Sequence, residues 1–168
     1  YATKLVEKGY KIAIVEQVED AKATKGIVKR DVVKILTPGT CVLNSAMSKE
    51  NNYIASIKEE GKSYIFTYID VTTGDAYLTL LANQTELLDE VLNLRVKEVV
   101  VSSKFNKKIS DLLVKNYGIV ISYEEDFELP SYLSGLTIDL VDKNEVLAFG
   151  LLANYIIKTQ REKLTHLK

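Results

Sequence analysis

One cysteine, one histidine, two prolines and no tryptophan stand in this 168-residue chain, and each scarcity removes a class of explanation. A lone thiol, Cys41, closes no internal disulfide framework, and with a single histidine, His166, it leaves no cluster for zinc. The chain therefore reads as one made for a reducing compartment, with the cytoplasm its expected location. The longest apolar run, Val146 to Ile157, is too short to cross a bilayer and is broken by Asn154. No secretory leader is legible, and no G-x-x-x-x-G-K-[ST] loop is present to cradle a nucleotide's phosphates. The chain opens on Tyr1 rather than methionine and runs at once into Leu5 and Val6 at helical spacing, as expected of a piece cut from something larger.

Hydrophobic residues make up 46% of the chain and charged residues 27%, the balance of a sequence that buries a core, so intrinsic disorder is not expected. The net charge of -1 conceals an asymmetry. Residues 1 to 40 carry 8 Lys and Arg against 5 Asp and Glu, and the remainder 14 against 18. Because nucleic acid is held by neutralising phosphates, the acidic second part is a poor principal DNA surface and reads as a spacer or a protein-binding domain.

Along the chain, Leu5 and Val6 mark a short helix that Gly9 can close. Two extended runs follow, Lys11 to Val18 and Ile27 to Thr37, the second ended by Pro38-Gly39, a pair that favours a type II turn. Small and polar residues from 41 to 52 read as a linker. Strands at Tyr53 to Lys58, Ser63 to Val71 and Asp75 to Leu81 then form a meander, with Gly61 and Gly74 supplying positive φ at its turns. Asn83 and Glu86 have the spacing of a capping box before a helix striped by Leu87, Leu88, Val91 and Leu92. A buried strand at Val99-Val100-Val101, a helix with Ile109, Leu112 and Leu113 that closes near Gly118, and a strand from Ile119 to Tyr123 complete the alternation. Glu124 to Leu136 reads mainly as exposed loop. Asp142 and Glu145 open a final helix, from about Lys143 to Arg161, apolar on nearly every side between Leu147 and Ile157, so it should be buried, with Gly150 admitting a close neighbour. The order β-β-β-α-β-α-β-α predicts an α/β fold, an RNase H-like domain over 53 to 168 whose mixed sheet has three antiparallel strands first, preceded over 1 to 40 by a partial α/β unit.

Lys4 to Asp20, then Lys25-Gly26, Val28 to Val33 and Leu36-Thr37-Pro38-Gly39-Thr40, closely resemble the second half of the mismatch-recognition domain of the MutS family. Asn51 to Ala55 and Asp70-Val71-Thr72-Thr73-Gly74 look like the start of that family's connector domain, and Tyr155, Thr159-Gln160-Arg161 and Leu164-Thr165-His166-Leu167 like its exit. The resemblance covers nearly the whole chain and is weakest from Lys104 to Leu140. It implies a non-catalytic part of a mismatch-repair protein that connects DNA recognition to the core and ATPase and docks MutL. The implied partners are mismatched duplex DNA through the parent protein, MutL, and the other domains and second copy of a MutS homodimer. ATP and Mg belong to the parent, and no cofactor is expected in these residues. Ala21 stands where family members commonly have proline, and the Phe-x-Glu wedge that the family inserts at a mismatch is absent.

Lys22, Lys25, Lys29 and Arg30 are candidate phosphate contacts, against the plainer reading of a solvated strand end. Phe127, Leu129, Tyr132 and Leu133, rimmed by Glu124, Glu125, Asp126 and Glu128, are candidates for a partner-binding surface, unless Phe127 and Leu133 fold back onto the sheet. An RNase H-like fold also invites a divergent metal-dependent nuclease, for which Asp70 is the one well-placed carboxylate and an Asx-type turn its plainer role. A purely structural spacer is the remaining alternative. His166 is expected to pack or cap, Cys41 lacks a basic partner, and the ten tyrosines look scattered, with no platform for base stacking.

Overall fold

The computed structural model describes residues 1–19, 22, 26–41, 51–140 and 142–161; the expectations for Asp20, Ala21, Lys25, most of the linker and 162–168, including His166, lie outside them. The first element, α1 (Ala2–Glu7), ends where Gly9 takes φ +89°, with Gly9 N–H donating to the Val6 carbonyl and Tyr10 N–H to that of Leu5. That pair of bonds is a Schellman closure, and it needs a residue free to adopt a left-handed backbone. Strands β1 (Ile12–Gln17) and β2 (Arg30–Leu36) pair antiparallel as a sheet of their own. Ile14 faces Lys34 while Val15 faces Val32, so Val33 is an extra residue that bends β2.

The larger sheet has the order β5-β4-β3-β6-β7, from β3 (Tyr53–Glu60), β4 (Ser63–Asp70), β5 (Ala76–Leu81), β6 (Glu98–Val101) and β7 (Val120–Tyr123). The first three pair antiparallel, and β6 joins β3, and β7 joins β6, in parallel. It is the mixed sheet that the alternation of strands and helices predicts. Gly61 and Gly74 have φ +62° and +81° at the two meander turns. β3 runs to Glu60 and pairs there with Ser63, so the turn is Gly61-Lys62 rather than Glu59 to Gly61.

Strand side chains alternate between two cores because the strand period is two. Ala55, Ile57, Phe66, Val99 and Val101 join Leu87 and Val91 of α2 (Gln84–Asn93) and Ile109 and Leu113 of α3 (Lys107–Tyr117) on one face. Ile54, Ile69 and Val100 pack on α4 (Lys143–Gln160) on the other. Asn83 Oδ1 accepts from Glu86 N–H while Glu86 Oε2 accepts from Ala82 N–H, a box displaced by one residue on its return side. Gly118, at φ +65°, closes α3. Ser56 and Thr67 are small enough for α4 to approach the sheet, and Ser56 Oγ donates to the Ala148 carbonyl.

Residues 148 to 156 of α4 are all buried, which a sheet on one side cannot accomplish alone. Part of the missing cover is β2, which lies against α4, and part is the segment expected to be mainly exposed loop, most of whose residues are indeed exposed. Glu124 to Leu129 crosses the outer side of α4 as a strap, and Ser131–Thr137 follows as a 3₁₀ helix that buries Leu133. Asn154 Nδ2 donates to the Asp126 and Glu128 carbonyls at 3.0 and 2.8 Å. A Cβ at Gly150 would overlap the Phe127 carbonyl oxygen, so the close neighbour that Gly150 admits is the strap's backbone. The polar composition of 124–128 reflects carbonyls and carboxyls bonded inward and along the strap.

Candidate functional site

The first candidate is the far end of the β1–β2 hairpin. Gln17 pairs with Arg30, and Lys29 N–H donates to Glu19 Oε2 at 3.1 Å, so Lys29 and Arg30 sit at the end opposite to the Ile12–Leu36 pair. Both are exposed, as is Lys22. Lys29 and Arg30, neighbours in sequence, thus lie at one exposed strand end; Lys25 lies outside the described residues.

The second is the strap. Of its four proposed contact residues, Leu133 is a core side chain, Phe127 and Leu129 are half-buried against the α4 core, and Tyr132 alone is exposed, at 43%. The quartet is thus split by its packing: the apolar members cover α4, and the exposed apolar surface passes to Tyr132, Leu136 and Ile138. The acidic rim is largely engaged. Lys158 Nζ lies 2.6 Å from Glu124 Oε1, which also accepts from the backbone of Glu125 and Asp126. Glu125 accepts from Ser103 N–H, and this bond holds its carboxyl below the usual range. Asp126 accepts from Glu128 N–H.

The third was missed in the sequence. Glu98, the first residue of β6, is fully buried. Its Oε1 accepts from the Ser122 hydroxyl of β7 and the Tyr155 hydroxyl of α4, each at 2.5 Å, and its Oε2 from Gly39 N–H at 2.9 Å. Burial and the adjacent Glu98 push the Tyr155 phenol far up, so it stays a proton donor. A glutamate beside Lys97 at a strand start looks like an ordinary surface residue; only its position against the Thr37–Thr40 turn shows otherwise.

The remaining expectations divide. Asp70 Oδ1 accepts from Thr72 N–H at 2.8 Å, the Asx-type turn of its structural reading. Among the described residues no group of three or more His, Cys, Asp or Glu is placed to hold a metal ion. Cys41 is half-buried, and desolvation raises its thiol pKa, the reverse of an activated nucleophile. The tyrosines are less scattered than their spacing suggests. Strand register brings Tyr53, Tyr68 and Tyr77 side by side across β3, β4 and β5, with ring centroids 5.2 and 4.9 Å apart. Burial chiefly, and carboxylates including Glu90 and Asp75, raise the pKa of Tyr68 and Tyr77, so this strip faces an acidic surround that suits phosphate poorly. No helix among the described residues is long and apolar enough to cross a membrane.

Two family models match the chain in succession, MutS domain I over residues 1–45 and MutS domain II over residues 52–168. The chain belongs to the MutS family of DNA mismatch-repair proteins. It is similar along its whole length to the DNA mismatch repair protein MutS of Geobacillus sp. (strain WCH70), at 39% identity, and to that of Listeria monocytogenes serovar 1/2a, at 40%, covering 20% of each relative. The MutS of Streptococcus pneumoniae serotype 19F is 38% identical over the same share. The chain thus spans about a fifth of the length of these MutS relatives. Glu98, Ser122 and Tyr155 fall in the domain II match, whereas Gly39 falls in the domain I match.

Proposed function

We propose that this chain is the non-catalytic, force-transmitting part of a MutS protein. It would join a mismatch-recognition unit, residues 1–40, through the linker 41–52 to an RNase H-like connector, residues 53–168, and offer that connector to MutL. The observation that carries the reading is the succession of the two MutS domain matches along one chain. A helix buried all round and a sheet covered on both faces support it, because a body packed in that way moves as a unit when its neighbours rearrange. The hairpin tip at Lys29 and Arg30 would touch the DNA backbone weakly and without reading sequence. The parent's ATP and Mg do not fit here: no phosphate loop stands in the sequence and no carboxylates converge among the described residues, so hydrolysis would belong to other parts of a MutS dimer. In a bacterial cell such a protein would work in the cytoplasm.

MutL docking is tested by titrating the chain with a MutL N-terminal domain. Tyr132→Ala, matched to the parent in melting temperature, is expected to weaken binding by about 1 kcal/mol or more, the range of an interfacial aromatic. Unchanged binding would move the interface to another face, and absence of binding by the parent chain would leave a spacer. Incubation with labelled duplex DNA and Mg²⁺ tests the nuclease alternative, which no feature of Asp70 favours; cleavage lost in Asp70→Asn would install it.

A further inference from the structure

The Thr37-Pro38-Gly39-Thr40 turn is tied to itself and to the larger domain by separate sets of bonds. Within the turn, the Thr37 carbonyl accepts from both Thr40 and Cys41 N–H, and the Thr37 and Thr40 hydroxyls lie 2.7 Å apart. Thr37, Gly39 and Thr40 are buried. Gly39 is not among the glycines with positive φ, so the type II turn expected from Pro-Gly does not form, and the glycine serves another purpose. A Cβ there would stand 2.8 Å from Glu98 Cβ and 3.0 Å from both Glu98 Oε2 and Ile54 Cβ. The residue is small because its backbone lies directly on β3 and β6, where its N–H reaches the buried carboxyl.

The rest of residues 1–40 also meets the larger domain, chiefly where β2 lies against α4. Lys11 Nζ sits 5.5 Å from the centroid of the Tyr155 ring, and the Thr37 side chain lies beside the Tyr155 phenol. A Cβ on Gly9 would come within van der Waals contact of Val120. Tyr155 therefore receives two contacts from the first unit while donating to Glu98 from α4. Three elements of the connector, β6, β7 and α4, converge on one carboxyl whose remaining oxygen is directed at a backbone amide of the other unit.

We propose that Glu98, Ser122 and Tyr155 form a docking site for the Thr37–Thr40 turn, and that Glu98 is the positioning residue that sets the angle at which the β1–β2 hairpin leaves the connector. This deepens the transmission reading given above and names its joint. The joint admits only glycine at its centre, where one hydrogen bond, from Gly39 N–H, crosses to a carboxyl that Ser122 and Tyr155 hold in place, and it sets the angle of a hairpin whose β2 also rests against α4. Displacement of the hairpin would act through Gly39 on Glu98, and so on the start of β6 and on α4 together.

Residual dipolar couplings of the 168-residue chain supply the test. In the parent, one alignment tensor is expected to fit the β1–β2 amides and the five-stranded sheet together, with slow exchange of the Gly39 amide. In Glu98→Ala the hairpin should need its own tensor, and Gly39 exchange should rise at least tenfold while Val99 to Val101 keep parental protection. Glu98→Gln keeps a carbonyl for Gly39, while the two hydroxyls can turn to accept from its amide, so it should restore the single tensor. If Glu98→Ala fails to fold, Gly39→Ala reads the same joint from outside the connector core and should give two tensors. A single tensor in Gly39→Ala, or loss of protection in β6 equal to that at Gly39, would overturn the proposal. MutL titration of Gly39→Ala separates the two readings: the joint predicts unchanged affinity, and failure of the parent to bind MutL leaves the tensor result standing.

Discussion

The two units of this chain solve burial in opposite ways. In residues 51–161 the sheet is covered on both faces and α4 is enclosed; among the described residues before Thr37, Val6 is the one buried apolar side chain, and Val15, Val18 and Ile27 are exposed. The larger domain holds its shape by packing, whereas the hairpin has pairing within its sheet but little buried apolar core of its own, and its position is set by its exit turn and by β2 against α4. A segment's strand pattern thus says little about how firmly it is held, because hydrogen-bond ladders are available to any pair of strands whereas burial requires a second layer.

Four changes in the larger domain and two in the first unit would break that contrast if it is wrong. The largest effect is expected at Gly150, where alanine is the better helix former by about 1 kcal/mol yet its methyl group meets the Phe127 carbonyl. Gly150→Ala should lower stability to urea by about 3 kcal/mol through overpacking; a gain would mean that the strap does not cross there. Asn154→Ala removes both side-chain donors to the strap and should cost about 2 kcal/mol, leaving two part-buried carbonyls without their side-chain donor, with amides of 126–129 exchanging faster. Next comes the alkaline limb. Because the Tyr155 phenol is raised above its ordinary value near 10 in the folded chain, the unfolded chain loses that proton first. Stability should be unaffected below that pH and fall above it, and melting temperatures of Tyr155→Phe should decline less steeply with alkali.

A smaller change of opposite sign is expected at Thr67, whose buried hydroxyl has no hydrogen-bond partner among the described residues. Thr67→Val keeps the shape and should add about 1 kcal/mol in chemical denaturation. The hairpin supplies the weakest effect. Val15→Thr and Ile27→Ser, at exposed positions, should each shift the unfolding free energy by less than about 0.5 kcal/mol; a loss of 2 kcal/mol in either would show that the first unit has a core after all.

Much of this architecture was legible in residue order. Period-two alternation with glycine at the turns marked the meander, Asn83 and Glu86 marked the start of α2, Gly118 the end of α3, and the unbroken apolar run the burial of α4, because each of these signals is local: a turn needs its positive φ, a helix end its cap, and a strand its alternation, whatever surrounds them. The family was likewise written in the motifs of the chain. What sequence could not decide was which polar groups face inward. Glu124 to Glu128 has the composition of a solvated loop and is part of the cover of a helix; Pro38-Gly39 has the composition of a type II turn and is a backbone pressed on a carboxyl; Glu98 looks like one more surface acid and lies at the meeting point of β6, β7, α4 and the first unit. Burying a polar group is tolerable only where its partners are already in place, and those partners stand 59, 24 and 57 residues away for Glu98. Only the folded chain brings them within a hydrogen bond, so their pairing belonged to the tertiary structure.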